Sequence, residues 1–134
     1  MRVPGLNQTY RSRKAQEVVL DEAESEYLSG QNLGRVATSA PNGQPHVVPV
    51  VYEFDGKYLY FCGWNLSKTL KYRNILSNPR VAFVVDDLAS VTPWMPRGME
   101  LRGSAEVYQG EGSSYVRITI ESKRSWGLGA RGGK

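Results

Sequence analysis

The sequence is poor in the side chains from which many catalytic and metal sites are built. Among 134 residues it has one cysteine, Cys62, and one histidine, His46. A single cysteine excludes a disulfide within the chain and is typical of proteins from a reducing compartment, so we expect a cytoplasmic location. One histidine beside one cysteine argues against a zinc site and against a histidine-based triad. We therefore expect neither a metal centre nor a hydrolase that works without a cofactor.

Long apolar runs are absent as well. No stretch reaches the roughly 18 apolar residues of a membrane-spanning helix, and residues 1–20 carry four basic side chains without the apolar block of a secretory signal. We therefore expect no membrane partner. A composition of 40% hydrophobic and 22% charged residues is typical of a soluble globular domain. We place this domain at residues 21–128, between a basic extension at 1–20 and a flexible tail at 129–134.

The net charge of +4 is unevenly distributed. Residues 1–20 and 117–134 hold the basic excess, whereas the middle of the chain is mildly acidic. Within that middle, Lys68, Lys71 and Arg73 belong to a run without an acidic residue. A basic barrel that binds nucleic acid is one interpretation, and a site for one phosphate group is the other. Because basic and aromatic residues do not alternate along one strand, we favour the phosphate and expect no nucleic-acid partner.

The order of short apolar runs and turns predicts a mainly β protein. We predict six strands, at residues 33–39, 46–54, 57–62, 81–85, 99–109 and 115–122. The Asp55-Gly56 pair predicts a hairpin between the second and third strands. The apolar run of the fourth strand predicts burial on both of its faces. Six strands without regular helix alternation favour an antiparallel closed or half-closed barrel over a doubly wound fold.

Two segments of the sequence are predicted to be helical. Residues 21–29 form the first helix, with Asp21 as the N-cap and Gly30 as the C-cap. Residues 67–76 form the second, with Ser67 as the cap.

Prolines mark two departures from regular strands. Pro49 lies inside the predicted second strand and has no N–H, so we expect a sheet edge, a bulge or a ligand contact at this position. Residues 86–98 contain Pro93 and Pro96, and we predict an irregular connection there.

The start of the second predicted helix collects hydroxyl and cationic side chains. These are Ser67, Lys68, Thr69 and Lys71, and Gly63 precedes them. Free N–H groups at a helix start, the helix dipole and the lysines would bind a phosphate monoester. The same pattern fits a solvated helix face capped by Ser67, and the residues alone leave both interpretations open.

Aromatic residues flank this segment along the sequence. They are Tyr58, Tyr60, Phe61, Trp64, Trp94 and Trp126. A phosphate grip beside aromatic and apolar walls suits a phosphorylated ring cofactor, while most of these rings also suit the packing of a barrel core.

An ordered set of motifs over about residues 20–128 resembles the pyridoxamine 5′-phosphate oxidase-like flavin-binding split-barrel superfamily. The general motifs are Arg35-Val36-Ala37-Thr38-Ser39, the strand at residues 45–52, the Asp55-Gly56 hairpin, Thr69-Leu70-Lys71 and Asn78-Pro79-Arg80-Val81. Further motifs are similar to the branch of coenzyme F420-dependent oxidoreductases. They are Val85-Asp86-Asp87, Pro93-Trp94-Met95-Pro96-Arg97-Gly98, Arg102-Gly103-Ser104-Ala105-Glu106 and Ser125-Trp126-Gly127-Leu128.

The resemblance implies a six-stranded antiparallel split barrel that forms a homodimer with two cofactors at the subunit interface. Thr69 and Lys71 match the pair that grips the cofactor phosphate, with Ser67 and Lys68 beside them. The strand whose backbone lines the cofactor ring corresponds to Val47, Val48, Pro49 and Val50, and the neighbouring strand end corresponds to Phe61, Cys62 and Gly63. Trp94, Arg97 and Trp126 are branch motif residues expected around the site, from the same or the other subunit.

The sequence departs from the oxidase itself at two points. Leu70 stands where the oxidase has an arginine before the phosphate lysine, and Lys68 is the cation that could compensate. The C-terminal pyridoxal-binding segment of the oxidase is not recognisable, which argues against vitamin B6 oxidation. The resemblance therefore implies a hydride-transferring oxidoreductase that uses F420, with FMN as the alternative, on a small-molecule substrate. A flavin-binding carrier or sensor without turnover is the second interpretation.

Overall fold

The computed structural model describes residues 18–110 and 113–129, so most of the basic extension and of the tail lies outside the described residues. The elements are α1 (Glu22–Gly30), β1 (Leu33–Ser39), β2 (Pro45–Phe54), β3 (Tyr58–Phe61), a 3-10 helix (Leu66–Lys68), α2 (Leu70–Ser77), β4 (Arg80–Ser90), β5 (Met95–Gly110) and β6 (Ser113–Trp126). The strands close into an antiparallel barrel in the order β1-β2-β3-β6-β5-β4. The predicted six-stranded antiparallel barrel with a few short helices is confirmed.

Alternation along the strands builds the core of the barrel. Successive side chains of a strand point to opposite faces, so every second residue faces inward. The inward residues include Val36, Leu59, Phe83, Leu101 and Ile118, each at most 1% exposed. The Asp55-Gly56 hairpin between β2 and β3 forms as predicted, with Gly56 at a φ of +100° that glycine adopts without strain.

The fourth strand is buried on one face only, so the prediction of two buried faces is wrong for the single chain. Val81, Phe83 and Val85 lie in the core, whereas Ala82 and Val84 are half-buried on the outer side of the barrel. An uninterrupted apolar run carries no alternation signal, and it therefore could not distinguish the two faces.

The irregular connection predicted at residues 86–98 is also wrong. Strands β4 and β5 continue their pairing to Ser90 and Met95, and a short turn joins them. Pro96 pairs with Leu88 before the first pairing between β5 and β6. Strand β5 has one neighbour at this point, and the missing N–H of proline is tolerated there.

The second predicted helix divides at Thr69, which takes the place of Ser67 as the N-cap of α2. Its side chain accepts a hydrogen bond from the N–H of Tyr72. Thr69 has an extended backbone, which separates the 3-10 helix from α2. Among the described residues, no helix is long and apolar enough to cross a lipid bilayer.

Helix α1 begins with the predicted Asp21 cap. The Asp21 carboxylate accepts from the N–H of Glu24, and the Glu24 carboxylate accepts from the N–H of Asp21, which completes a capping box. At the other end the C-cap is Gln31 and not Gly30. Gln31 is extended because the chain passes almost directly into β1, so this helix needs no left-handed glycine to end it.

A buried carboxylate fixes α1 to β6. Glu24 is 5% exposed and accepts hydrogen bonds from the Lys123 ammonium and, at 2.8 Å, from the Ser125 hydroxyl. Burial opposes the ionisation of Glu24, but hydrogen bonds from Lys123, from the Asp21 N–H and from Ser125 outweigh it and lower its pKa. Nearer the C-terminal end of α1, the Tyr52 hydroxyl donates to the Leu28 carbonyl at 2.6 Å.

We expect Glu24→Gln to lower the free energy of unfolding by about 2 to 3 kcal/mol at neutral pH, because hydrogen bonds to a buried charged group are lost. The pKa of Glu24 is lowered by folding, so its contribution is present above the unfolded value near 4.3 and is lost as the pH falls through the folded value. Urea unfolding should therefore show a shallower acid decline in the variant than in the wild type. The exposed Glu22→Gln on the same helix serves as the control, and equal stability of the two variants would contradict the assignment.

Candidate functional site

Most of strand β2 has only one neighbouring strand. Residues 45–51 pair with β1, but β2 pairs with β3 only through Tyr52, Glu53 and Phe54. On the β3 side, residues 45–51 therefore meet no strand within the described ranges, and we call this side the open edge of β2. Pro49 lies within it, so the expectation that this proline occupies an edge is confirmed.

The chain that follows β3 borders the open edge. Strand β3 ends at Phe61, the partner of Tyr52, and the next residues diverge from β2. The path then reaches α2, whose Asn74 amide donates to the Thr38 hydroxyl at 2.9 Å. Thr38 pairs with His46 near the beginning of β2. Helix α2 thus packs against β1, the neighbour of β2, and we call the region between the start of α2 and the open edge of β2 the candidate cleft.

Thr69 organises the turn into α2. Its hydroxyl donates to the Leu66 carbonyl at 2.7 Å, and its oxygen accepts from the N–H of Tyr72 at 3.4 Å. The Thr69 hydroxyl is therefore already engaged within the chain. The N–H groups of Leu70 and Lys71 at the helix start have no acceptor among the described residues, and they are available to an anion.

Lys71 is a cation in a position that disfavours positive charge. It lies in the first turn of α2, where no acidic residue is present and the helix dipole repels a cation. The side chain is half-buried, and burial lowers its pKa. Lys71 has no carboxylate partner in the part of the chain that the structure describes. An anion bound at this point would relieve both the desolvation of the ammonium and the repulsion by the dipole.

His46 contributes a second polar atom without a partner. It shares the inward face of β2 with Val48 and Val50, and its Nδ1 is buried without a hydrogen-bond partner. The side chain is of intermediate exposure. Its place opposite Thr38 puts it at the α2 end of the open edge.

Eleven of the expected site residues lie on β2 or on the chain between the end of β3 and the first turn of α2. They are Val47, Val48, Pro49, Val50, Phe61, Cys62, Gly63, Ser67, Lys68, Thr69 and Lys71. Val47 and Pro49 point outward and are exposed, and Ser67 and Lys68 are exposed on the 3-10 helix. The Phe61 side chain is 2% exposed and lies in the core, so only backbone atoms of this residue could contribute to the cleft. Cys62 is an exposed free thiol just beyond β3.

Trp94, Arg97 and Trp126 lie at the other end of the barrel. Arg97 pairs with Asp87 near the end of β4, whereas α2 leads into Arg80 at the start of the same strand. Seven residues of extended strand span roughly 23 Å. The three branch motif residues are therefore not gathered around Lys71 within one chain.

At this second end, Arg97 belongs to a polar cluster with Tyr27 and Asp87. The Arg97 guanidinium donates to both Asp87 oxygens, at 2.8 and 3.0 Å, and the Tyr27 hydroxyl donates to the same carboxylate at 2.8 Å. The hydrogen bond from Arg97 is the main reason that the pKa of Asp87 is lowered. Burial and the hydrogen bond to Asp87 raise the pKa of the Tyr27 hydroxyl.

Tyr27 and Asp87 belong to a cluster that the sequence did not predict. Asp86 and Asp87 are adjacent in the sequence, and the structure places them on opposite faces of β4. Asp86 pairs with Arg35 at 2.6 Å, while Asp87 binds Arg97. An alternation of inward and outward side chains that continued through residues 86–98 would have indicated strands here, but Pro93 and Pro96 suggested an irregular connection instead.

A known protein family matches this chain over most of its length. The family model described as pyridoxamine 5′-phosphate oxidase matches residues 20–126, which is more than half of the chain. The chain belongs to the pyridoxamine 5′-phosphate oxidase family.

One curated protein and two solved structures are similar to this chain. The 5a,11a-dehydrotetracycline/5a,11a-dehydrooxytetracycline reductase of Streptomyces rimosus subsp. rimosus is 38% identical over 117 residues, covering 80% of this chain and 82% of the relative. A solved F420 reductase is 25% identical with a TM-score of 0.64, covering 79% of this chain and 98% of the other. An FAD-binding protein from Mesorhizobium loti shares the fold, with 22% identity, a TM-score of 0.65, and coverage of 79% and 94%. Family membership with a reductase among the relatives supports an oxidoreductase.

We expect Lys71→Gln to stabilise the protein in chloride, by about 0.3 to 1 kcal/mol, because a cation is removed from the start of a helix. In phosphate of the same ionic strength the order should reverse, since only the wild type gains a bound anion. Thermal unfolding in the two salts measures both effects. Arg73→Gln on the same helix is the control, and an equal response of wild type and Lys71→Gln to phosphate would exclude Lys71 from an anion site.

Proposed function

We propose that the protein is an F420-dependent oxidoreductase that transfers a hydride to a small organic acceptor, with FMN as the alternative cofactor. The observation that carries the proposal is the half-buried Lys71 at the N-terminus of α2, which has no carboxylate partner within the described ranges. A phosphorylated ring cofactor meets both needs of this cleft, because its phosphate neutralises the cation and its ring covers exposed backbone.

The residues present fit such a cofactor. Lys71, with the N–H groups of Leu70 and Lys71, would hold the phosphate, while Ser67 and Lys68 supply further donors nearby. The oxidase arginine that Leu70 replaces has no counterpart here other than Lys68, which is exposed. The engaged hydroxyl of Thr69 positions α2, so we assign Thr69 to shaping the phosphate site as well as contacting it.

The open edge of β2 would take the cofactor ring. Backbone N–H and C=O groups between Val47 and Val50 have no strand on one side, and such groups need hydrogen-bond partners when they are covered. Pro49 has no N–H at all, so the edge offers fewer donors than another residue would give. The unpartnered Nδ1 of His46 lies on the inner face of this strand and is one more polar atom that a ligand could satisfy.

When bound, a reduced deazaflavin or flavin supplies the hydride, so the protein needs no nucleophile of its own. This agrees with the absence of a histidine-based triad from the sequence. The residues of the chain bind and orient the cofactor and exclude water from its covered face. The F420 reductase neighbour supports F420, and the FAD-binding neighbour keeps a flavin as the alternative.

The acceptor is proposed by analogy with the reductase relative, whose name describes reduction of a dehydrotetracycline. A reduction of that class adds a hydride to one carbon of a carbon–carbon double bond and a proton to the other. We therefore propose a conjugated carbon–carbon double bond in a polycyclic ketone as the acceptor. A cytoplasmic location, where the exposed Cys62 stays reduced, completes the proposal.

We also propose that the protein functions as a homodimer. The outer face of β1 and β2 presents Leu33, Val47 and Val51, which are 48%, 62% and 67% exposed. The pairs Leu33–Val51 and Ala37–Val47 place these side chains on one face, and Val84 of β4 continues it. Arg35, which is paired with Asp86, lies between these apolar side chains on the same face. An exposed sheet face that is largely apolar is typical of a protein interface. The face adjoins the open edge, so a second copy would cover the proposed ring site.

We expect the purified protein to bind F420, or else FMN, at micromolar concentrations in a spectral titration. Lys71→Ala should weaken binding by about 10- to 150-fold, the effect of losing a hydrogen bond to a charged group. Arg73→Ala should leave binding unchanged. Oxidation of the reduced cofactor by 5a,11a-dehydrotetracycline would establish turnover, whereas binding without turnover of any acceptor would favour a carrier or sensor. Binding of neither cofactor would refute the proposal.

We expect Val51→Glu to shift the protein from dimer to monomer in light scattering, because an unpaired charge is placed on the largely apolar face. Leu76→Glu is the matched control, since Leu76 is 63% exposed but lies on α2. A monomeric wild type, or dissociation by both variants alike, would contradict the proposed interface.

A further inference from the structure

An open cavity of about 400 Å³ lies between α1 and the chain that follows β6. Arg97, Tyr27 and Gln31 line one part of it, and Glu26 and Ala23 of α1 line another. Its volume falls within the usual range for small-molecule sites. It lies at the α1 end of the barrel, away from Lys71, and the proposed phosphate site does not use it.

The cavity exists because glycines bring the C-terminal chain close to β5. Gly127 has a φ of +72°, and a Cβ at this position would lie 2.3 Å from the Pro96 carbonyl oxygen and 2.8 Å from the Arg97 Cβ. No other residue type fits this approach without displacing β5. Gly129 forms a further part of the wall and carries no side chain into the space.

Arg97 is held rigidly at the wall of this cavity. Its Nε and Nη2 donate to Asp87, and its guanidinium lies 5.2 Å from the centre of the Tyr27 ring. The Nη1 of Arg97 has no partner among the described residues. An arginine fixed in this way can present its remaining N–H groups to a ligand with little loss of conformational freedom.

The charges around the cavity indicate which kind of ligand it can bind. Asp87 already neutralises Arg97, so the arginine acts as a hydrogen-bond donor more than as a free positive charge. Counting only described residues, the Arg97–Asp87 pair is neutral and Glu26 adds one negative charge to the lining. A polyanion is disfavoured here, and a neutral or zwitterionic molecule with oxygen acceptors and a protonated amine is favoured.

We propose that this cavity binds the polar end of the acceptor, with carbonyl or hydroxyl oxygens facing Arg97 and an amine facing Glu26. The inference rests on the proposed oxidoreductase function and assigns a subsite to its substrate. Tetracyclines fit the chemistry because they combine an edge rich in hydroxyl and carbonyl oxygens with a tertiary amine. The cavity would thus determine which acceptors are reduced, while Lys71 determines cofactor binding.

The test titrates 5a,11a-dehydrotetracycline into the protein by calorimetry, without cofactor and again with oxidised F420, which cannot donate a hydride. The wild type should bind in at least one condition. Glu26→Gln should raise the Kd about three- to tenfold, because a charged partner of the amine becomes neutral. Ala23→Leu should raise it about tenfold or more by filling the cavity. Glu22→Gln, on the same helix but outside the cavity, should leave the Kd unchanged.

The outcomes separate the subsite from the proposed function. A wild type that binds the probe in neither condition overturns the inference, as does a Kd within twofold of wild type for both cavity variants. Spectral titration of F420 and FMN is carried out on the same variants and should give unchanged cofactor affinity. If neither cofactor binds but the probe still depends on Glu26 and Ala23, the oxidoreductase proposal fails and the cavity remains a binding site for this class of ligand.

Discussion

Three residue pairs between β2 and β3 close the barrel, and the shortness of this ladder determines the rest of the structure. Strand β3 has four residues, so pairing with β2 stops at Tyr52 and Phe61. The chain then continues to α2 without pairing with β2. On the β3 side, the backbone of residues 45–51 therefore has no neighbouring strand within the described ranges. A longer β3 would complete the sheet and remove the cleft. The open edge, the turn at Thr69 and the position of Lys71 all follow from this early end of the strand.

The cationic side chains at the two ends of the barrel lie in different electrostatic environments. At the α2 end, Lys71 has no carboxylate partner among residues 18–110 and 113–129 and lies at the positive end of a helix dipole, which is the basis for the anion site proposed above. At the α1 end, Asp87 neutralises Arg97, and Tyr27 supports both. The total charge of +4 describes neither environment, because it derives mainly from residues near the chain termini. Local pairing decides what each end can bind.

The sequence predicted the barrel because its signals were local. Alternating runs, the Asp55-Gly56 turn and the Asp21 cap each depend on residues close together in the chain, and all three were correct. Pro49 correctly indicated an edge. The cluster of Tyr27, Asp87 and Arg97 could not be predicted, because it depends on the pairing of β4 with β5 and on the docking of α1. Thr69 could not be identified as the cap of α2 either, since Ser67 has the same hydroxyl and only the backbone decides between them.

The contact between Glu24 and β6 also has a consequence for the order of assembly. Glu24 binds Lys123 and Ser125, which lie 99 and 101 residues further along the chain. During synthesis on the ribosome, α1 can contact β2 through Leu28 and Tyr52 early, but its contacts to β6 must wait until almost the whole barrel has been made. Contacts between residues so distant in the sequence slow folding, because a long loop must be closed before they form. The docking of α1 beside the cavity at Arg97 is therefore complete only once β6 has joined the barrel.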